Sequence, residues 1–125
     1  MMRIFKNKAF NKWAMKEGLD DVAFRSAVDE MERGLIDADL GGHVVKKRVA
    51  ISGRGKSGGA RTLIAYRISD KAIFVYGFAK NTRGNISVDE LKALKHLAKM
   101  LLNYSDKALT EAIKYGALIE VKNDE

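Results

Sequence analysis

The chain has 125 residues, of which 46% are hydrophobic and 31% charged, with a net charge of +7. That length supports one domain with its own hydrophobic core, and no apolar run approaches the roughly 18 residues of a membrane span. With no cysteine, disulfides, thiolate zinc sites and cysteine nucleophiles are excluded, while a sequence pI near 9.7 favours a polyanionic partner.

The opening MMRIFKNKAF is too charged for a signal peptide, so a cytoplasmic protein without membrane contact is expected. Arg3 to Phe5 reads as a short opening strand. Asn7 caps a helix from Lys8 to Glu17 that carries Phe10, Trp13 and Ala14 on one face and stops at Gly18. Asp20 caps a second helix, Asp21 to Arg33, ended by Gly34, with Phe24, Ala27, Val28 and Met31 at helical spacing. The short link at Gly18 and Leu19 predicts a helical hairpin, and Gly41-Gly42 then breaks the chain.

Three strands follow: His43 to Ile51, Arg61 to Ser69, and Ala72 to Ala79. The tight Ser69-Asp70-Lys71 turn and the other short connections demand antiparallel pairing. The second and third strands are apolar enough to be central, with the first nearer an edge. Asn81 to Asn85 is a polar loop. Ser87-Val88-Asp89-Glu90 is a capping box opening a helix that buries Leu91, Leu94, Leu97, Ala98, Leu101 and Leu102. Ser105 caps a last helix, Asp106 to Tyr115, closed by Gly116, and Ala117 to Ile119 is a short final strand. The expected fold class is α+β in a single domain over residues 1–125: an N-terminal helical hairpin, a three- to four-stranded antiparallel sheet and C-terminal helices.

Charge is unevenly spread. From Asp20 to Asp39 seven acids stand against two bases, a net of −5, whereas Val44 to Lys56 holds five bases and no acid. The stretch Lys46 to Arg61, KKRVAISGRGKSGGAR, gathers six cations: Lys46, Lys47, Arg48, Arg54, Lys56 and Arg61. It reads as a strand, a mobile basic loop over 52–59, and the start of the next strand. Such a loop presents cations to phosphates, because glycine lets backbone N–H groups approach an anion closely.

Alternation sets Lys46 and Arg48 on one face of the first strand and Lys47 on the other. Tyr66 and Tyr76 on the neighbouring strands offer rings for base stacking, although sheet packing accounts for them equally well. Lys80 and Arg83 close the patch at the exit of the third strand.

Other chemistries fit poorly. GRGKSGG lacks the glycine that a phosphate-binding P-loop needs five positions before its Gly-Lys-Ser triplet; Ala50 stands there, and a strand follows rather than a helix. His43 and His96 have no metal-like spacing, and the serines have no visible histidine partner. No cofactor is expected.

The order of elements, the basic strand, the arginine opening the next strand with a tyrosine five residues on (Arg61 and Tyr66), the Ser-Asp-Lys hairpin and the strand-end YGFAKN (Tyr76 to Asn81) together resemble the RelE/ParE superfamily of bacterial toxins. The detail is most similar to its HigB-like branch. The resemblance covers roughly residues 44–81, with the flanking helices agreeing in order. It implies a cytoplasmic toxin of a type II toxin–antitoxin pair that cleaves mRNA on the ribosome, by attack of a ribose 2′-OH on the adjacent phosphate. Its partners would be a cognate antitoxin, the ribosome and mRNA.

Carried onto this chain, the resemblance assigns Lys46, Arg48, Arg61 and Lys80 to catalysis. Lys47, Arg54, Lys56, Tyr66, Tyr76 and Arg83 would contact RNA. The chemistry is physically sound: crowded cations disfavour one another's charge, so a lysine among them can act as a base, and arginine stabilises phosphorane charge. One position departs: RelE places an arginine after the strand-exit lysine as general acid, and this chain has Asn81. Two other readings share the fold, a ParE-like gyrase inhibitor and a non-catalytic RNA- or ribosome-binding module. An acidic antitoxin segment is expected on the basic sheet and loop. The alternative is an apolar or basic grip on the acidic hairpin.

Overall fold

A computed structural model describes residues 2–51, 55–79 and 85–122, with backbone alone at 55–58. Local signals become elements where the caps lie. Asn7 ends β1 (Arg3–Asn7) and caps α1 (Lys8–Glu17), its side chain accepting the Phe10 N–H at 2.8 Å. Asp20 caps α2 (Asp21–Glu32) through the Ala23 N–H at 3.1 Å. The chain continues through β2 (Ala38–Asp39), β3 (Val44–Ile51), β4 (Gly55–Arg67) and β5 (Lys71–Ala79). Ser87 and Glu90 form the reciprocal capping box of α3 (Val88–Leu102). Ser105 caps α4 (Asp106–Lys114), and β6 (Leu118–Glu120) closes the fold.

These strands make one sheet in the order β2-β3-β4-β5-β1-β6. The expected antiparallel strands form its centre. The sheet is larger than expected, with six strands, because the short opening and final strands, β1 and β6, join it, and the two-residue β2 is too short to carry an alternation signal of its own. It is also mixed: β1 runs parallel to β5, while the other pairs are antiparallel. The central place of β4 and β5 explains their nearly continuous apolar runs, since both of their faces are covered.

The first two helices lie on one face, α1 against β5 and α2 against β3, around Phe10, Phe24, Met31 and Phe74. The Phe10 and Phe24 rings meet at 5.5 Å, so the expected hairpin closes over a shared aromatic cluster. The other face is covered by α3 and α4, around Phe5, Leu63, Ile73 and Leu102. On that side Arg48 of β3 remains exposed. Burying these two apolar clusters on opposite faces of one sheet is the main stabilising term.

The largest departure from expectation concerns the glycine-rich stretch. Residues 55–59, expected in a mobile loop, belong to β4, which begins six residues before Arg61. Ile51 pairs with Gly55 and Val49 with Ala60, across a register shift. The ladder is built from backbone groups and needs no side chains, so glycine can occupy it where the partner crowds in. Gly59 does so: a Cβ there would lie 2.2 Å from the Val49 carbonyl oxygen. Residues 52–54 lie outside the described residues.

Candidate functional site

Along β3, Val45, Lys47, Val49 and Ile51 are buried while Lys46 and Arg48 point to the opposite face. The β3–β4 register sets Lys46 across from Leu63 and Arg48 directly across from Arg61. Like charges directly opposite in a strand pair are destabilising, so this pairing needs compensation or a purpose. Asp37, in the segment leading into β2, supplies compensation to one partner. Its Oδ1 lies 3.2 Å from Arg48 Nε, and its Oδ2 accepts the Arg48 backbone N–H at 2.6 Å.

Asp37, Lys46, Arg48 and Arg61 line a shallow cleft of about 260 Å³. The Lys46 ammonium has no hydrogen-bond or ion-pair partner among the described residues. Arg61 Nη1 donates to the Gly59 carbonyl at 3.5 Å, a long contact. Three cations therefore face one carboxylate on an open surface, and two of them lack a countercharge among the described residues. Oxyanions suit such a place: guanidinium forks match phosphate oxygens, and a lysine adds a point charge.

Two residues expected at the RNA surface lie elsewhere. Lys47 is buried on the α2 face, its ammonium 2.7 Å from the Glu30 carboxylate and donating to the Leu35 carbonyl at 2.8 Å. Tyr66 is also buried on that face, and its hydroxyl donates to Glu32. Burial, and then the Glu32 carboxylate, push the Tyr66 phenol well above its usual range. Neither group can reach a substrate on the open side, because sheet alternation turns both toward α2.

Tyr76 stands on the open side. Its register partner is Leu63, so Lys46, Leu63 and Tyr76 form one row across three strands. It is partly exposed, and its hydroxyl lies 3.3 Å from the Glu90 carboxylate of α3. Arg54, Lys80, Asn81 and Arg83, and the side chain of Lys56, lie outside the described residues.

Asp37 is the one cleft residue that sequence reasoning did not single out. It was counted only as one of the acids in the 20–39 stretch. A two-residue strand carries no periodicity that would have placed it beside Arg48.

The same pairing consumes much of the expected electrostatic division. Glu30, Glu32 and Asp37 of the acidic segment meet Lys47, Tyr66 and Arg48 of the sheet. Among the described residues, no cluster of three or more potential ligands could hold a metal ion. Nor, among the described residues, is any helix long and apolar enough to cross a membrane.

Fold and cleft together define a small α+β protein with a cation-rich sheet surface. The family model for the RelE toxin of the RelE/RelB toxin–antitoxin system matches residues 2–121. The chain belongs to that family, and its role is that of a toxin with an antitoxin partner. Comparison with curated proteins gives no significant match.

Proposed function

We propose that the chain is a ribosome-dependent mRNA endonuclease and that the Lys46–Arg48–Arg61 cleft is where it holds the scissile phosphate. The observation that carries this reading is the direct opposition of Arg48 and Arg61 beside Lys46 on an exposed face, in a cleft with one carboxylate, that of Asp37. A merely structural sheet surface has no use for that arrangement.

In the proposed step the substrate's 2′-oxygen bonds to phosphorus while the bond from phosphorus to the 5′-oxygen breaks. The 2′-hydroxyl gives up its proton and the leaving oxygen gains one. Arg61 and Arg48 bind the non-bridging oxygens, whose charge grows in the phosphorane. Donors fixed in advance are worth most at that point. Lys46 completes the cation set beside the 2′-oxygen, and Tyr76, two strands further along the row, offers a ring to a neighbouring base. Lys80 and Arg83 follow β5 in sequence and are, with Lys56, the further candidates for proton delivery, since the Asn81 amide is no acid.

The antitoxin of such a toxin would neutralise the cleft with an acidic segment, since complementary fields favour that side. Glu30, Glu32 and Asp37 of the 20–39 segment are already engaged with the sheet, so the segment offers less to a basic partner than its charge suggests.

The deciding experiment incubates the chain with programmed ribosomes and maps cuts in the mRNA, alongside expression in cells read for translation arrest and for DNA damage. Cuts within the ribosome-bound codon are expected. DNA damage with intact translation would replace this reading with gyrase inhibition. Ribosome binding without cuts would reduce it to a binding module.

A further inference from the structure

A second cavity, of about 460 Å³, opens between the turn before β3 and the C-terminal half of α3. Its walls include His43, His96, Lys95, Lys99, Arg67 and Leu102, and no described residue lining it is acidic. Helical spacing gathers part of this set: Lys95 and Lys99 are four residues apart and His96 and Lys99 three, so they share one surface of α3. A helix dipole favours a cation in the last turn. It does not account for Lys95 or for two imidazoles from opposite walls.

The opposite wall is an unusual turn. Gly41, Gly42 and His43 are three successive left-handed residues, with φ of 82°, 59° and 64°. Asp39 accepts the Gly41 N–H at 2.9 Å, and the His43 carbonyl accepts the Tyr66 N–H at 2.9 Å, so the turn is anchored at both ends. A Cβ on Gly42 would lie 2.9 Å from Lys95 Cγ, and the site of one on Gly41 is 3.4 Å from Lys95 Nζ. The two glycines thus let the lysine stem lie along the turn. His43 keeps a side chain where glycine would be unstrained, and such strain gathers at ligand sites.

Arg67 is already committed. It donates to the Leu102 carbonyl at 2.9 Å and lies 3.4 Å from Asp70, so it serves as wall. The ammonium groups of Lys95 and Lys99 have no ion-pair or hydrogen-bond partner among the described residues.

We infer that this cavity is a nucleotide site, separate from the sheet cleft. Lys95 and Lys99 would take the phosphate, with the imidazoles of His43 and His96 as further donors. The apolar floor at Leu102 and the flat imidazoles would take the base. The volume falls within the roughly 300–1,000 Å³ usual for small-molecule sites. Arg61 and Arg67 lie six residues apart on the same face of β4, about 20 Å at the rise of a strand. The two sites are therefore distinct, and the inference does not depend on the catalytic reading of the first.

The test titrates the full chain with adenosine 5′-monophosphate and follows the imidazole resonances of His43 and His96. Inorganic phosphate and a short oligoadenylate are run in parallel. The nucleotide should move both resonances. K95E/K99E should weaken binding about tenfold or more, as expected for lost charge-assisted bonds. H43G relieves the left-handed strain and should keep the wild-type Tm while also weakening binding. R61A should bind as wild type does. Displacement of the nucleotide by the oligoadenylate assigns the site to an RNA strand; failure to displace it assigns the site to free nucleotide. Inorganic phosphate binding as tightly as the nucleotide would overturn the inference. So would a response lost in R61A but kept in K95E/K99E, or tighter capture of an acidic peptide at the same resonances.

Discussion

Lys46 and Lys47 are neighbours in sequence and opposites in the fold. Lys47 turns toward α2, is 4% exposed and is held by Glu30 and the Leu35 carbonyl. Lys46 turns toward the α3 side and stands beside Arg48 and Arg61, its ammonium with no partner among the described residues. A lysine taken out of water must be given a countercharge, and α2 provides it; one left at an open surface can wait for a ligand. A basic strand is therefore two things at once, a strut on one face and an anion receptor on the other, and parity decides which residue plays which part.

The sharpest way to break this comparison is to truncate the two lysines in turn. Lys47→Ala leaves the Glu30 carboxylate without its buried partner and should cost about 3–5 kcal/mol in chemical unfolding. Lys46→Ala should stay within about 0.5 kcal/mol of wild type. Equal costs would erase the distinction between the faces.

Arg61→Ala tests the receptor side. Loss of a preorganised donor to the phosphorane should lower cleavage on ribosomes by about 10²–10³-fold. Thermal unfolding should be unchanged, since the side chain's hydrogen bonding among the described residues is one 3.5 Å contact. Cleavage at the wild-type rate would remove the cleft from catalysis.

A smaller effect is expected at Asp37, the carboxylate in the cleft. Asp37→Asn keeps an acceptor for the Arg48 N–H while removing a negative charge. RNA should bind roughly threefold tighter at low salt, with the gain fading as salt screens the field. Stability should change by less than about 1 kcal/mol, because Arg48 is well exposed. Weaker binding would instead show that Asp37 orients Arg48 for the substrate.

The smallest effect lies on the α2 face, at Asp21. Burial tends to raise its carboxyl, but the Lys122 N–H and the Lys6 ammonium outweigh this and hold it below its usual value. A carboxyl lowered in the fold stabilises above its unfolded value of about 4 and loses that contribution as pH falls through the folded value. Asp21→Asn should therefore destabilise by at most about 1 kcal/mol at neutral pH and by nothing measurable near roughly pH 2. A cost independent of pH would assign Asp21 to packing alone.

The caps of all four helices and the stripes of the first three were legible because each depends on residues three or four positions apart. Lys46 and Arg48 on one face and Lys47 on the other were legible for the same reason, since strand parity is local. The tyrosines show where parity stops being enough. Unbroken alternation along β5 puts Tyr76 on the same face as Ala72, the register partner of Tyr66. A register shift between Leu63 and Ile64 lets Tyr76 pair with Leu63 while Phe74 pairs with Ile64, and the extra residue turns Tyr76 to the open face. Nothing local marks that bulge.

By itself, then, the sequence determined the helices, the three central strands and the concentration of cations on one of them, because propensity, capping and alternation act within a few residues. The tertiary structure decided what those cations face. It set Arg48 against Arg61, brought Asp37 beside them, buried Lys47 under α2, and set His43 and His96, 53 positions apart in the chain, in the walls of one cavity. Each of these is a meeting of distant segments fixed by strand register and by which helix covers which face, and no local pattern encodes such meetings.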